Sequence, residues 1–145
     1  MEQRSPLEDA VVRNDIERVI KLLEEGADVN KPGANGATPI LLSAFQNNMP
    51  MVEFLIQHDA DVNTTNNKGD TPLHGAAFGS RVLVKTLLDA GANVNRKNKD
   101  GETPLDWAFV TGCNQDNAKV LLKAGANADH YDPEMINEIM ADPNI

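Results

Sequence analysis

Thr71-Pro72-Leu73-His74-Gly75-Ala76-Ala77-Phe78 is the stretch whose reading decides the fold. A threonine before proline marks a helix start: the hydroxyl can cap free backbone N–H groups, and proline suits the first helical position because its missing N–H is not needed there. The small residues that follow let such a helix lie close to its neighbours. Working outward, the same start recurs as Thr38-Pro39-Ile40 and Thr103-Pro104-Leu105-Asp106, at spacings of 33 and 32 residues. Ser5-Pro6 provides an equivalent start near the beginning of the chain. A second phrase runs in step: Gly26-Ala27-Asp28-Val29-Asn30, Asp59-Ala60-Asp61-Val62-Asn63, Gly91-Ala92-Asn93-Val94-Asn95 and Gly125-Ala126-Asn127-Ala128-Asp129. Two independent phrases that keep one period define a stacked array of helical units.

Between the phrases lies a second helix in each unit, with apolar spacing at Val19, Leu22 and Leu23, at Val52, Leu55 and Ile56, at Val84, Leu87 and Leu88, and at Ala118, Leu121 and Leu122. It is expected to end at Gly26, Gly91 and Gly125, where a positive φ favours glycine, with Asp59 in that slot in the second unit. Gly36, Gly69 and Gly101 read as turn glycines before the helix starts. The unit around Gly79-Ser80-Arg81 is one residue short between its helices, and the unit around Cys113-Asn114-Gln115-Asp116 one residue long.

Composition restricts the function classes. With 41% hydrophobic and 24% charged residues the chain is an ordinary globular one, and with only 4% aromatics its core must come from Leu, Ile, Val and Ala. The single cysteine, Cys113, forms no internal disulfide and no CxxC pair, so it reads as a free thiol in a reducing setting. No signal peptide and no run of 18 apolar residues is present, and a cytoplasmic location without membrane association is expected. A net charge of −9 disfavours a nucleic-acid partner. The charge is uneven: −4 over residues 1–30, −2 over 31–67, +4 over 68–99 and −7 over 100–145.

With these phrases on the page, the chain resembles the ankyrin-repeat family, whose units start Gly-x-Thr-Pro-Leu-His and end Leu-Leu-x-x-Gly-Ala-x-Val-Asn. The resemblance covers roughly residues 5 to 130 and implies an all-α solenoid of stacked antiparallel helix pairs joined by hairpin loops. Four repeats are expected near 1–34, 35–67, 68–99 and 100–132 of a single domain, followed by a C-terminal cap over 133–145 whose helix starts after Asp132. Capped ends suggest a monomer, and the Met1 start a whole chain. The resemblance gives His74 the role of tying backbone groups between repeats. It marks Asn30, Asn63 and Asn95 as positions hydroxylated in some cells; from their residue type they read first as turn formers.

No P-loop, HExxH, GxSxG or dinucleotide fingerprint is present, and His58 and His130 have no ligand set nearby, so neither catalysis nor a cofactor nor a metal is expected. The expected function is a non-catalytic module that binds a protein partner through hairpin tips and the concave helix face. Two alternatives are a stand-alone acidic inhibitor or immunity-type protein that masks a basic enzyme or toxin, and an enzyme with an improvised site. Candidate contact residues form two groups. Phe45, Phe78 and Val110 end the first helices in a column begun by Val12, and read equally as a contact stripe or as inter-repeat packing. Thr65, Asn67 and Lys68, then Arg96, Lys97, Lys99 and Asp100, lie at hairpin tips, with Asp70 and Glu102 just before the Thr-Pro helices. Trp107 follows Leu42 and Gly75 in its own column and is expected to fill the space that Gly75 leaves, or else to anchor a partner.

Overall fold

The computed structural model describes residues 4–110 and 114–144. Its helices are α1 Pro6–Val12, α2 Ile16–Glu24, α3 Pro39–Phe45, α4 Met49–Gln57, α5 Pro72–Ala77, α6 Arg81–Asp89, α7 Pro104–Val110, α8 Gln115–Lys123 and α9 Pro133–Ala141, with one 3-10 turn at Ala34–Gly36. No strand occurs among the described residues. Each of α1, α3, α5 and α7 packs on the helix that follows it, and the four also pack on one another in chain order. The result is a stack of helical hairpins, as the two sequence phrases require.

The starts of the first helices follow the Thr-Pro logic with one exception. Ser5 Oγ accepts from the Glu8 N–H at 3.1 Å. Thr71 Oγ1 accepts from the His74 N–H, and the Thr71 N–H donates to His74 Nδ1 at 3.0 Å, which closes a reciprocal box. Asp106 replaces the imidazole in the last unit, its Oδ2 accepting from the Thr103 N–H at 2.7 Å. Thr38 makes no cap bond; its hydroxyl pairs with Thr64 Oγ1 of the next loop at 2.8 Å, and Leu41, three residues on, has no polar group to close a box. Second helices are capped by Asp15, Asn48, Ser80 and Asn114.

The core is aliphatic, as composition demands. Val19, Val52, Leu55, Val84, Leu87, Ala118 and Leu121 are fully buried, together with Val11, Ile40, Leu73 and Leu105 from the first helices. Ala44, Ala76, Ala77 and Ala108 are buried completely and permit the close approach of the first helices. The second helices end at φ +93°, +96° and +94° for Gly26, Gly91 and Gly125, while Asp59 holds the same slot at +65°. The length slips are real: α6 begins nine residues after α5, against ten for the first two pairs and eleven for α8 after α7. Cys113 lies outside the described residues.

Asn30, Asn63 and Asn95 stand in turns, as their residue type leads one to expect, and they also staple successive loops. Asn63 donates from Nδ2 to the Gly91 carbonyl at 3.0 Å and accepts on Oδ1 from the Asn93 N–H at 2.8 Å. Asn95 repeats the pattern on Gly125 and Asn127, and Asn30 on Asp59 and Asp61. Turn formation falls to the residue two positions earlier: Asp28, Asp61 and Asn93 each accept from the backbone N–H two residues on.

At the far end α9 packs on α8 through Ile139, and Asp132 caps it with an oxygen 2.9 Å from the Glu134 N–H. Lys119 lies buried beneath it, its ammonium donating to the Asp142 carbonyl. Tyr131 and His130 both bond Asp106, so the last loop is tied back to α7.

Candidate protein-binding face

The first helices present their C-terminal ends along one side of the stack. There Phe45, Phe78 and Val110 remain 42, 46 and 74% exposed, so the column lies at the surface while its two phenylalanines also touch later repeats. The two phenylalanines are nonetheless fixed. Trp107, half-buried, meets Phe45 edge-on at a centroid distance of 6.0 Å and Phe78 at 4.9 Å, and its other neighbour is the His74 ring at 5.1 Å. Ring pairs at such distances and angles are worth about 0.5–1.5 kcal/mol each beyond the area they bury.

The expectation that Trp107 fills the space at Gly75 needs correcting. A side-chain carbon at Gly75 would lie 2.4 Å from Phe45 Cδ2, and the three atoms nearest to it all belong to Phe45. Phe45 reaches forward one repeat, onto the bare backbone of α5, and Trp107 packs against its edge. The missing side chain at Gly75 is therefore what lets rings from three successive units come together.

A polar relay joins this patch to the hairpin tips. Trp107 Nε1 donates to Glu102 Oε2 at 2.8 Å, and Asn98 Nδ2 donates both to Glu102 Oε2 at 3.1 Å and to Asp70 Oδ1 at 3.0 Å. Asp70 Oδ2 in turn accepts from Asn66 Nδ2 at 3.1 Å. Asn66 and Asn98 shape their own loops, each Oδ1 accepting from the backbone N–H groups two and four residues on. Of the sequence candidates, then, Asp70 is buried and Glu102 half-buried, and both hold loops and indole in place from beneath the surface. Asn66 and Asn98 were not singled out from sequence. The available signal was an Asn four residues before each acidic residue, repeated 32 residues apart.

His74 ties the same relay to the helices. Its Nε2 pairs with the Glu102 carbonyl at 2.9 Å, while Nδ1 accepts from the Thr71 N–H. These partners require the neutral tautomer with the proton on Nε2. Burial pushes the His74 pKa down, and the bond to Glu102 and the charges of Asp70, Glu102 and Asp106 only partly oppose it. Asp106 shows the opposite balance. Burial acts to raise its pKa, but hydrogen bonds from the Thr103 backbone, Tyr131, His130 and the Thr103 hydroxyl outweigh it and hold the carboxyl at about 2. Burial and then the Asp106 carboxylate push the Tyr131 hydroxyl well above its ordinary value.

At the tips, Thr65, Asn67, Arg96, Lys97 and Lys99 line a cleft of about 560 Å³ between successive loops. The loops are laced by one backbone bond per step, Asn67 N–H to the Asn35 carbonyl at 2.8 Å and Lys99 N–H to the Lys68 carbonyl at 2.9 Å. Lys68, Arg96, Lys97, Lys99 and Asp100 are exposed. Among the described residues the salt bridges are Arg13–Asp9 and His130–Asp106, and neither involves a tip cation. No three His, Cys, Asp or Glu side chains among the described residues gather as a metal site, and no described helix is long and apolar enough to cross a membrane.

A stack of helical hairpins with laced loops, an exposed aromatic patch beside them and an open surface defines a repeat solenoid. Comparison with protein families matches residues 7–98 to the family described as Ankyrin repeats (3 copies), and the chain belongs to that family. Ankyrin repeats are in general protein-interaction modules. No match was found among curated proteins.

Proposed function

We propose that this chain is a non-catalytic module that binds a protein partner across its hairpin tips and the exposed ends of its first helices. The observation that carries this reading is the assembly of Phe45, Phe78 and Trp107 into one patch on an exposed face, locked to the loops through Glu102 and Asn98. Stacking the repeats does not need it, since Leu42 occupies the Trp107 column two units earlier. A few hot-spot side chains, with Trp among the enriched types, carry most of the energy at protein interfaces, and holding them in place before contact removes part of the entropic cost of association. The acidic-inhibitor alternative draws no support from this face, whose tips are mostly cationic.

The test is capture of partners from native lysate by the whole chain and by Phe78→Ala, with mass spectrometry and thermal unfolding in parallel. The expected outcome is that Phe78→Ala loses a specific partner at least tenfold while its melting temperature falls by only a few degrees. Equal capture by both proteins would refute the role of the face.

A further inference from the structure

The two bands of this face differ in chemistry, and the difference specifies a ligand. One band, at the tips, carries Arg96, Lys97 and Lys99 lining the cleft and the exposed Lys68 of the preceding loop, with Asp100 as the exposed carboxylate among them. The other, at the ends of the first helices, is Phe45, Phe78 and Trp107. Between the bands the oxygens of Asp70 and Glu102 are directed to Asn66, Asn98 and the Trp107 indole, within the relay. The surface is thus cationic along one edge and aromatic along the other, on a chain whose net charge is −9.

Both bands run along the stack, crossing from one repeat to the next. Packed helices lie about 8–10 Å apart, which an extended chain covers in roughly three residues at ~3.3 Å each. Successive side chains of an extended chain point to opposite sides. A strand lying along the face therefore offers one set of side chains to the tips and the alternate set to the rings.

We infer, on the basis of the protein-binding reading above, that the ligand is an extended acidic segment of a partner protein in which Asp or Glu alternates with apolar side chains, the acids meeting Arg96, Lys97, Lys99 and Lys68 and the apolar groups covering Phe45, Phe78 and Trp107. Opposite charge along the tips steers the encounter and fixes the register; the rings supply the lasting contact.

The experiment selects a phage-displayed library of random twelve-residue peptides on the whole chain, on the triple variant Arg96→Gln, Lys97→Gln, Lys99→Gln, and on Phe78→Ala. Circular dichroism and melting curves confirm that each is folded. The expected result is enrichment of peptides that alternate Asp or Glu with Leu, Ile or Phe. A synthetic copy should shift the emission of Trp107, the only tryptophan, and bind at least tenfold more weakly to the triple variant and to Phe78→Ala. Binding should also fall steeply between 50 and 300 mM salt. Enriched peptides that are neutral or basic, and that lose binding to Phe78→Ala but not to the triple variant, would overturn the acidic ligand while leaving the face as the binding site. Peptides indifferent to both variants, or no enrichment at all, would overturn both.

Discussion

Replacing Asn63 by alanine tests whether the asparagine column holds the repeats together. The side chain makes two bonds to the next unit, Nδ2 to the Gly91 carbonyl at 3.0 Å and Oδ1 from the Asn93 N–H at 2.8 Å. A hydrogen bond contributes about 0.5–1.5 kcal/mol net, and water can compete at these partly exposed positions, so the pair is worth about 1–2 kcal/mol. For a chain of this size that corresponds to a fall of roughly 3–8 °C in melting temperature. Asp61→Ala is the control, because its one bond, from the Asn63 N–H at 2.9 Å, stays inside its own loop. It should cost about half as much. The two variants should also differ in kind: in a stacked array stability divides into terms within repeats and terms between neighbours, and only Asn63→Ala weakens a term between neighbours. Urea unfolding followed by circular dichroism should show a shallower transition for Asn63→Ala, as the stack begins to melt in two parts, and an unchanged slope for Asp61→Ala. A loss for Asn63→Ala no larger than for Asp61→Ala, with equal slopes, would refute the staple role and return the residue to turn formation.

Asp59→Gly should raise the melting temperature by a degree or two, because an L-residue at φ +65° is strained by more than the extra freedom glycine brings to the unfolded chain; no change or a fall, read by calorimetry, would contradict this. His74 has its pKa lowered in the fold, so the unfolded chain binds the proton more readily; the stability this residue lends is complete above about pH 6.5 and is lost as pH falls from there towards the folded value. His74→Gln should remove that part of the pH dependence between pH 5 and 7 in urea titrations, and an unchanged profile would refute it. Gly75→Ala should push the Phe45 ring off α5 and shift Trp107 emission without unfolding the chain, since the added carbon would lie 2.4 Å from Phe45 Cδ2. Asp106→Asn should loosen the last loop and lower stability at neutral pH, with the difference from the parent shrinking as pH falls from about 4 towards 2, where the parent carboxyl is itself protonated.

The fold was legible because its signals are local. A Thr-Pro start, a positive-φ stop and an apolar triplet each follow from the chain within a single turn of helix, and their recurrence every 32 or 33 residues supplies the stacking. The site was legible only in outline. Phe45 and Phe78 stood out as a column, but a column does not show whether its members face a neighbour or water. Gly75 invited the nearest large residue of its own column, Trp107, whereas the space is taken by Phe45, which lies one turn further along the helix of the preceding repeat. Asp70 and Glu102 looked like surface acids beside the tips. Their burial depends on Asn66 and Asn98, whose amides reach across loops at distances that sequence spacing does not encode. The asparagines of the Val-Asn pairs read as turn residues, which they are, but their stapling role is hidden for the same reason: those bonds cross about 30 residues.

What remains is why the rings and the tips belong to one device. Phenylalanines left 42 and 46% exposed use only part of their surface within the stack, and a tryptophan N–H turned away from water takes an acceptor inside the chain. Glu102 provides that acceptor, and the same carboxylate oxygen receives Asn98, which shapes the loop carrying Lys97, Lys99 and Asp100. Moving the indole would leave Glu102 with Asn98 as its remaining side-chain donor, while moving the loop would leave the indole N–H unpaired. The aromatic band and the cationic band are held by shared atoms, so they form one preformed surface. A scaffold whose only task was to stack could dispense with the whole relay, as the first loop does: there Gly33 stands where Asn66 and Asn98 stand later, and its backbone closes the turn on the Ala37 carbonyl unaided. The relay stands in the loops that lead into α5 and α7, the helices of Phe78 and Trp107, and not in the loop that leads into α3, so it accompanies two of the three rings.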